Sequence, residues 1–448
     1  MKRTKFGSRL GVIAAAAGSA VGLGNIWRFP YEVGENGGGA FLIVYFSCIL
    51  LVGFPIMLSE LTLGRIGQSN VTGAFRNMRH KSWSFVGYIG VICSLLIMGF
   101  YTVVAGWTME YIYQSICNNF VGKSSEALTQ TFTDFSTQTV RPILWAFVSI
   151  GITCIVILRG VKKGIETTSK LLMPLLLVMI VALGVRSITL PNGMEGLRFL
   201  FHADFSKITS DVILSAMGQA FFSLSLGMGC MITYGSYIQK NNNLMHTALE
   251  VTGIDTLIAT LAAIAIFPAV FAMGISPVQG PQLVFVTLPN IFSLIAGGYF
   301  WAILFFGLLT IAALTSTISL LEVATAFFSE EFKMTRRKAA ILCSAIIAML
   351  SVFASLSIGV WSDVKVFGLS FFDLFDTITA KYLMPVGGLL ISVFAGWVLD
   401  KRTIVDELSS GKSKSKFLLR VYIFVLKYII PIAIVSIFLN ELGFLFKK

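Results

Sequence analysis

Long apolar runs alternate along the chain with short breaks that contain charged residues, glycine or proline. A transmembrane helix needs about 20 mostly apolar residues to cross a bilayer. The runs therefore predict an all-α membrane protein with eleven spanning helices. They lie at 9–31, 39–64, 85–114, 142–158, 169–186, 212–235, 247–272, 297–328, 339–356, 374–399 and 418–439.

The first run is interrupted in its middle. From Gly18 to Pro30 it reads GSAVGLGNIWRFP, with Gly22 and Gly24 at mid-membrane and the charged Arg28 soon after. Glycine is a poor helix former, and unwound backbone is tolerated in a membrane only where it is buried in protein or lines a cavity. A broken helix exposes carbonyl groups, which bind cations, and N–H groups, which bind anions. The alternative is a glycine-rich face for close helix packing.

The sixth run has the same kind of interruption, reading QAFFSLSLGMG from Gln219 to Gly229. The two interrupted runs are five apart, which is the separation expected of a five-plus-five inverted repeat. Corresponding interrupted helices in two halves of a sequence point to the binding site of a transporter.

Composition supports the membrane assignment. Of 448 residues, 56% are hydrophobic and 12% are charged, with a mean hydropathy of +0.83, whereas soluble domains carry about 25% charged residues. We therefore expect one polytopic domain over 1–448. This composition disfavours intrinsic disorder, a disulfide-rich secreted domain and a nucleic-acid-binding module.

The net charge of +12 is explained by topology. Most of the 34 basic residues fall in the loops on one side of the predicted membrane, and such loops are cytoplasmic. The N-terminus is then cytoplasmic, although Lys447 and Lys448 lie outside in an eleven-span chain. The alternative for the N-terminus is a signal peptide that ends near Ala20.

The six cysteines are scattered, mostly in apolar runs, and none forms a C-x-x-C motif. Three histidines do not complete a zinc or iron–sulfur site of ordinary spacing. We interpret the cysteines as small core residues.

Four segments carry a resemblance to a known family: Gly18–Pro30, ENGGGAF from Glu35 to Phe41, the sixth run, and LTST from Leu314 to Thr317. Together they resemble the neurotransmitter:sodium symporter family, in its bacterial amino-acid transporter branch with the leucine-transporter fold. The resemblance implies inverted repeats at about 8–186 and 212–399 and an extra helix at about 418–439. Family members usually have twelve spans.

The resemblance implies two sodium sites built from uncharged oxygens and one carboxylate, as hard cations prefer. The implied ligands are Ala20, Asn25, Ser223 and Asp255 at one site, and Gly18, Val21, Ala312, Thr315 and Ser316 at the other. The alternative for Thr315 and Ser316 is a hydroxyl bonded back to its own helix.

Asp255 departs from the family, which commonly has Asn there. The neighbours of a chloride ion would be Tyr45, Gln219 and Ser223, but the next ligand position, typically Ser, is Ala259. We hypothesise that Asp255 supplies the negative charge and that chloride is not required. The alternative is a neutral, protonated Asp255 in a helix contact.

An α-amino acid substrate would place its carboxylate on a helix N-terminus and its ammonium on carbonyl groups. The implied substrate-binding residues are Ala20, Leu23, Gly24, Ile97, Tyr101, Phe222, Ser223, Ser225, Met228, Ser319 and Leu320. Met228 stands where the leucine transporter has a bulky aromatic residue, and Met packs well against rings. We therefore expect a large hydrophobic or aromatic amino acid.

The resemblance also implies gates. On the outside, Arg28 would pair with Asp376, or with Asp373, while Tyr101 and Phe222 close over the substrate.

On the inside, Arg3 would pair with Glu330, braced by Tyr237, and Phe6 stands where the family usually has Trp. The alternative for Arg3 and Glu330 is simple solvation.

Two structural features complete the implied machinery. Glu60 would bond the unwound backbone of the sixth span. Nine residues separate Gly164 from Pro174, as in the family's fifth span, and unwinding there would admit water to the second sodium site. The alternative is an ordinary start of a helix with proline near its first turn.

The predicted function is therefore sodium-coupled, chloride-independent symport of an amino acid by alternating access, in the cell membrane. We expect no enzyme activity, because no histidine accompanies a candidate serine or cysteine nucleophile. The alternatives are an amino-acid sensor that does not transport and a symporter for another small zwitterion. A channel would need a continuous polar pore.

Overall fold

The computed structural model describes residues 5–274, 283–409 and 416–441. These residues are mostly helical, and one isolated β-bridge joins Val366 to Leu369. The principal helices are α1 (Arg9–Ala20), α2 (Gly24–Glu35), α3 (Gly39–Gly67), α4 (Val71–Asn77), α5 (Lys81–Ile116), α6 (Ser125–Ser136), α7 (Arg141–Leu158), α8 (Val161–Ile188), α9 (Gly193–Phe201), α10 (Ser210–Ser223), α11 (Cys230–Gly235), α12 (Leu244–Ala272), α13 (Val284–Leu294), α14 (Gly298–Glu331), α15 (Arg336–Leu356), α16 (Phe371–Val398), α17 (Lys401–Ser409) and α18 (Phe417–Ser436).

Nine helices among the described residues are long and apolar enough to cross a membrane: α3, α5, α7, α8, α12, α14, α15, α16 and α18. A tenth span is the pair α1 and α2, bent by 47° at a short break. The predicted sixth span, 212–235, is divided between α10 and α11. Each predicted span therefore has a counterpart, and both expected interruptions are present.

The first interruption lies between α1 and α2. Val21 leaves the helix with extended backbone, at φ −73° and ψ 109°. The chain re-enters a helix at Gly24, and the residues of the break are buried in protein. This burial satisfies the condition for unwound backbone at membrane depth.

The second interruption, over 224–229, takes its shape from left-handed backbone. Ser225, Gly227 and Gly229 have φ angles of 54°, 75° and 81°. Position 227 requires glycine for a second reason, since a Cβ atom there would lie 2.2 Å from the carbonyl oxygen of Met384. Glu60 Oε1 accepts a 2.7 Å hydrogen bond from the freed N–H of Gly227.

The two interruptions contact each other. Ser225 Oγ donates a 2.8 Å hydrogen bond to the carbonyl oxygen of Ser19. Gln219 Nε2 donates a bond of the same length to the carbonyl oxygen of Gly24. Side chains of the second interrupted span therefore bond backbone carbonyl groups of the first.

The fifth span is wound in this structure. α8 begins at Val161, earlier than the predicted start at 169, and it runs past Gly164 with Pro174 inside it. The unwinding expected between Gly164 and Pro174 is therefore a change from the conformation described here.

Candidate functional site

Three polar side chains from three helices meet at the interruptions. Asn25 Nδ2 donates to Ser223 Oγ at 3.0 Å and to Asp255 Oδ1 at 2.7 Å. Ser223 Oγ donates to Asp255 Oδ2 at 2.8 Å. All three residues are fully buried. These are the three side chains assigned to the first sodium site, and the structure brings them into direct contact.

The residues assigned to a chloride site lie beside this cluster. Tyr45 OH donates to Ser223 Oγ at 3.2 Å, and the Oε1 atom of Gln219 is buried without a hydrogen-bond partner. Ala259 is buried on α12 and offers no polar side chain. The hydroxyl of Ser223, which the resemblance assigns to chloride binding, therefore donates its hydrogen bond to the carboxylate of Asp255.

The second group of predicted sodium ligands is assembled in part. Thr315 Oγ1 donates to the carbonyl oxygens of Val21, at 3.2 Å, and Ala312, at 2.9 Å. The second of these bonds is the back-bonding alternative, and the first joins α14 to the break after α1. Ser316 Oγ reaches the carbonyl oxygen of Ser19 at 3.4 Å. Gly18, the remaining member, is buried in α1.

A small cavity of about 20 Å³ lies between the two interruptions. Its lining includes Ala20, Gly24, Ile97, Tyr101, Phe222, Ser225, Met228 and Leu320 from the predicted substrate site, together with Ser19, Gly22 and Ser316. Such a volume holds about one water molecule. An amino acid therefore enters only if the surrounding side chains move apart.

Three predicted substrate residues, Leu23, Ser223 and Ser319, do not line this cavity. The N–H of Leu23 donates to Tyr101 OH at 2.8 Å, so these two predicted substrate-binding residues bond each other. Ser319 Oγ donates to the carbonyl oxygen of Ser316 at 2.8 Å and is buried.

The predicted outer gate centres on Arg28. Its Nη1 atom lies 3.9 Å from Asp376 Oδ1, and its guanidinium carbon lies 4.8 Å from the centre of the Phe222 ring. Asp373 instead accepts from Ser370 Oγ at 2.7 Å at the start of α16. Of the two predicted partners, the structure places Asp376 against Arg28.

The sequence interpretation missed a nearer partner of Arg28. Glu32 Oε1 lies 3.5 Å from Arg28 Nε, one turn along the same helix, and its other oxygen accepts from Ser215 Oγ on α10. The sequence contained a signal for this pair, because Glu32 follows Arg28 by four residues and side chains at i and i+4 are neighbours on a helix.

On the inner side, Tyr237 and Glu330 are placed, whereas Arg3 lies outside the described residues. Glu330 Oε2 accepts from the N–H of Asn70 at 2.7 Å and from Ser69 Oγ at 3.0 Å. The phenol of Tyr237 donates at 2.6 Å to Glu322 Oε1.

Glu322 is the centre of an inner network that the sequence interpretation missed. Arg336 Nη1 donates to its Oε1 atom at 2.9 Å, and Arg336 Nη2 donates to its Oε2 atom. The Glu322 side chain is fully buried. A carboxylate inside a spanning helix is a recognisable signal, but its partners lie 14 and 85 residues away.

The chain before α1 is also held on the inner side. The N–H of Phe6 donates to the carbonyl oxygen of Tyr237 at 3.1 Å, and the Phe6 ring meets the Tyr234 and Tyr237 rings edge-on. Glu166 on α8 accepts from the N–H of Gly7 at 2.6 Å.

Glu166 also accepts from Ser8 Oγ at 3.0 Å and Lys170 Nζ at 2.6 Å. The carboxylate of Glu166 therefore joins the residues before α1 to the segment between Gly164 and Pro174.

Two broken helices that cross a membrane and meet at a buried, oxygen-rich site define a helical membrane transporter. The comparisons with known proteins agree with this class. The family model described as the sodium:neurotransmitter symporter family matches residues 3–139 and 126–445. The chain belongs to this family, whose members compared here are transporters and not enzymes.

Three relatives illustrate the similarity. The uncharacterised sodium-dependent transporter YhdH of Bacillus subtilis strain 168 is 37% identical and matches over 99% of both chains. An uncharacterised sodium-dependent transporter of Haemophilus influenzae is 37% identical over 98% of both chains. The crystal structure of MhsT in complex with L-phenylalanine superposes with a TM-score of 0.92 at 45% identity, covering 98% of this chain and 99% of that one.

Proposed function

We propose that this chain is a sodium-coupled symporter that imports an amino acid with a large hydrophobic or aromatic side chain. The observation that carries the proposal is the direct contact of Asn25, Ser223 and Asp255 at the two interruptions. The sodium-dependent relatives and the phenylalanine complex of MhsT support the ion and the substrate class.

Sodium is the expected ion because hard cations prefer oxygen ligands, and these side chains offer an amide, a hydroxyl and a carboxylate oxygen. As described here, Asn25 turns its amide nitrogen toward Asp255, while its Oδ1 atom accepts from the N–H of Gly22 at 3.0 Å. We expect the amide to turn over when a cation binds, so that its oxygen joins those of Ser223 and Asp255. The group at Val21, Ala312 and Thr315 is the second proposed site, with Gly18 and Ser316.

The two sodium ions supply the driving force. Moving one charge through 100 mV is worth about 2.3 kcal/mol, so two ions contribute about 4.6 kcal/mol. At about 1.4 kcal/mol per factor of ten, this potential alone sustains more than a thousandfold accumulation of a zwitterion.

We propose that transport follows alternating access in a multi-pass protein of the cell membrane, with a cytoplasmic N-terminus. The first, second, sixth and seventh spans would rock against the rest of the protein around the site. These moving spans come from both repeats, at about 8–186 and 212–399, with 418–439 as an additional helix. Sodium must favour the conformation that binds substrate, because a ligand with equal affinity for two states shifts neither.

The test is uptake of a labelled amino-acid panel into proteoliposomes, with an inward sodium gradient compared with potassium. We expect uphill, sodium-dependent uptake of Phe, Trp, Tyr or Leu. Sodium-dependent binding without accumulation would instead identify a sensor, and preference for Gly would overturn the proposed substrate class. If uptake is the same in sodium and in potassium, the assignment of the two sodium sites is wrong.

Chloride independence has its own test. Replacing chloride by gluconate should leave uptake within twofold of its original rate, because the carboxylate of Asp255, which is bonded to Ser223, would supply the negative charge in place of chloride. A loss of most uptake in gluconate would show that chloride is required.

A further inference from the structure

A second unusual charge lies far from the transport site, on the lipid-facing helix α18. Only 28% of the apolar window of this helix is buried, the smallest share among the nine long spans of the described residues. Lys427 lies inside that span. A charged side chain within a spanning helix is costly and normally has a partner.

Within the described chain, Lys427 contacts an aromatic ring and no carboxylate lies within ion-pair distance of it. Its Nζ atom lies 4.6 Å from the centre of the Trp397 ring. The indole Nε1 of Trp397 in turn donates to the carbonyl oxygen of Lys427 at 3.1 Å. The lysine stem crosses Gly396, where an added Cβ would lie 3.1 Å from Lys427 Cγ. These contacts fix the ammonium at the seam between α16 and α18.

The residues around this ammonium face lipid. Trp397 is 55% exposed, and its ring meets that of Tyr428 at 5.6 Å. Arg420 is also exposed and precedes Lys427 by seven residues, so the two lie on one face of the helix about 10 Å apart. We call Trp397, Arg420, Lys427 and Tyr428 the lysine–tryptophan patch.

The position of the patch along the membrane normal follows from the sequence. Trp397 is three residues before Asp400, and Lys401 and Arg402 follow directly. Tryptophan and tyrosine concentrate at membrane–water interfaces, and long basic side chains extend toward them. Trp397 is the second-last residue of α16 and bonds to the backbone of Lys427, so Lys427 lies level with the end of α16 and not at the middle of the membrane. The patch therefore lies at the level of lipid headgroups, on the basic side that we propose is cytoplasmic.

We propose that the lysine–tryptophan patch binds the headgroup of an anionic phospholipid. The lipid phosphate would contact the ammonium of Lys427 and the guanidinium of Arg420, while an acyl chain lies along Tyr428. Charge complementarity selects a lipid with net negative charge, because a zwitterionic headgroup already neutralises its own phosphate. Basic pockets between helices on the cytoplasmic side are known to bind such headgroups.

Native mass spectrometry of the purified full chain tests this proposal, by titration with phosphatidylglycerol and, separately, phosphatidylcholine. We expect tighter binding of phosphatidylglycerol, weakened about fivefold by Lys427→Gln, which is the share of one basic residue at a membrane surface. Lys427→Arg should remain within twofold of the wild type, because it keeps the charge.

The matched control is Lys401→Gln, which removes a charge from the same side but outside the patch. It should change phosphatidylglycerol binding less than twofold. The proposal is overturned if Lys427→Gln binds this lipid as the wild type does, if Lys401→Gln loses as much affinity, or if both lipids bind equally well. Where Lys427→Gln does not yield folded protein, Trp397→Leu with retained Lys427 replaces it, and wild-type affinity there also contradicts the proposal.

Discussion

The predicted outer and inner gates contain ion pairs that differ in distance and burial. On the outer side, Arg28 lies 3.5 Å from Glu32 and 3.9 Å from Asp376, beside a cavity of about 310 Å³ between α2, α10 and α16. On the inner side, Glu322 is fully buried and is bonded by Tyr237 at 2.6 Å and by both terminal nitrogens of Arg336.

This difference indicates which end of the passage is shut. Charge-assisted hydrogen bonds in a buried, low-dielectric site are stronger than long contacts next to water. Removal of one partner from a buried pair is also costly, because the other charge remains without compensation. In the proposed orientation, the ion pairs on the cytoplasmic side are therefore stronger than those around Arg28, and release toward the cytoplasm would have to break the stronger set.

The largest effect is expected at Glu322. Glu322→Ala removes the buried carboxylate to which Arg336 and Tyr237 donate, and breaking a buried ion pair costs about 3–5 kcal/mol. Uptake should fall more than tenfold, and hydrogen exchange in residues 5–20 should become faster. Glu331→Ala is the control, since its partner Arg76 is exposed. If Glu331→Ala lowers uptake as much as Glu322→Ala, the buried ion pair of Glu322 is no more important for transport than the more exposed pair of Glu331.

A second prediction concerns the carboxylate that joins α8 to the residues before α1. A Cβ atom on Gly11 would lie 2.2 Å from Glu166 Oε1. Gly11→Ala should therefore displace the carboxylate from Gly7 and Ser8, and hydrogen bonds to a charged group are worth about 1.5–3 kcal/mol each. We expect about a tenfold loss of uptake.

The double variant Gly11→Ala with Glu166→Ala tests whether the loss of uptake comes from the clash between the new methyl group and the Glu166 carboxylate. The alternative cause is a change in helix stability on replacing glycine by alanine. Removal of the Glu166 carboxylate gives the new methyl group space, so the double variant should transport better than Gly11→Ala alone. If the double variant takes up substrate no faster than Gly11→Ala alone, the clash between positions 11 and 166 does not cause the loss of uptake.

The smallest effects are expected at the outer gate. Glu32→Gln should raise KM about fivefold, because Glu32 is the nearer partner of Arg28 and also binds Ser215. Asp376→Asn should raise KM about twofold, since partly exposed pairs contribute at most about 1 kcal/mol. The initial rate of labelled uptake at increasing substrate concentration gives KM for both variants. Asp373→Asn is the control and should leave KM unchanged. If Asp376→Asn raises KM more than Glu32→Gln does, Asp376 and not Glu32 is the principal partner of Arg28.

The fold was largely predictable from the sequence because its determinants are local. Apolar runs long enough to cross a bilayer specified the spans, and glycines at mid-membrane specified both interruptions. The start of α8 was placed too late, at 169, because Lys162, Lys163 and Glu166 resemble a loop. In the structure Glu166 is nearly buried and bonded to Gly7, a contact across 159 residues that no local pattern reveals.

The site was predictable only through resemblance. Composition and spacing indicated a broken helix near Asn25, but not that Ser223 and Asp255 would meet it. The choice between Asp373 and Asp376 likewise needed the direction of α16. Glu322 was missed even though a carboxylate in an apolar run is itself a signal.

The central claim is that the contact of Asn25, Ser223 and Asp255 is a sodium site, and the most direct test is the sodium activation curve of uptake in Ser223→Ala. Ser47→Ala is the matched control, because Ser47 is exposed on α3 and, among the described residues, its hydroxyl bonds only to the carbonyl oxygen of Ile43 in its own helix. The account predicts that Ser223→Ala needs at least tenfold more sodium for half-maximal uptake, while Ser47→Ala matches the wild type. An unchanged sodium requirement in Ser223→Ala would contradict the assignment of the site.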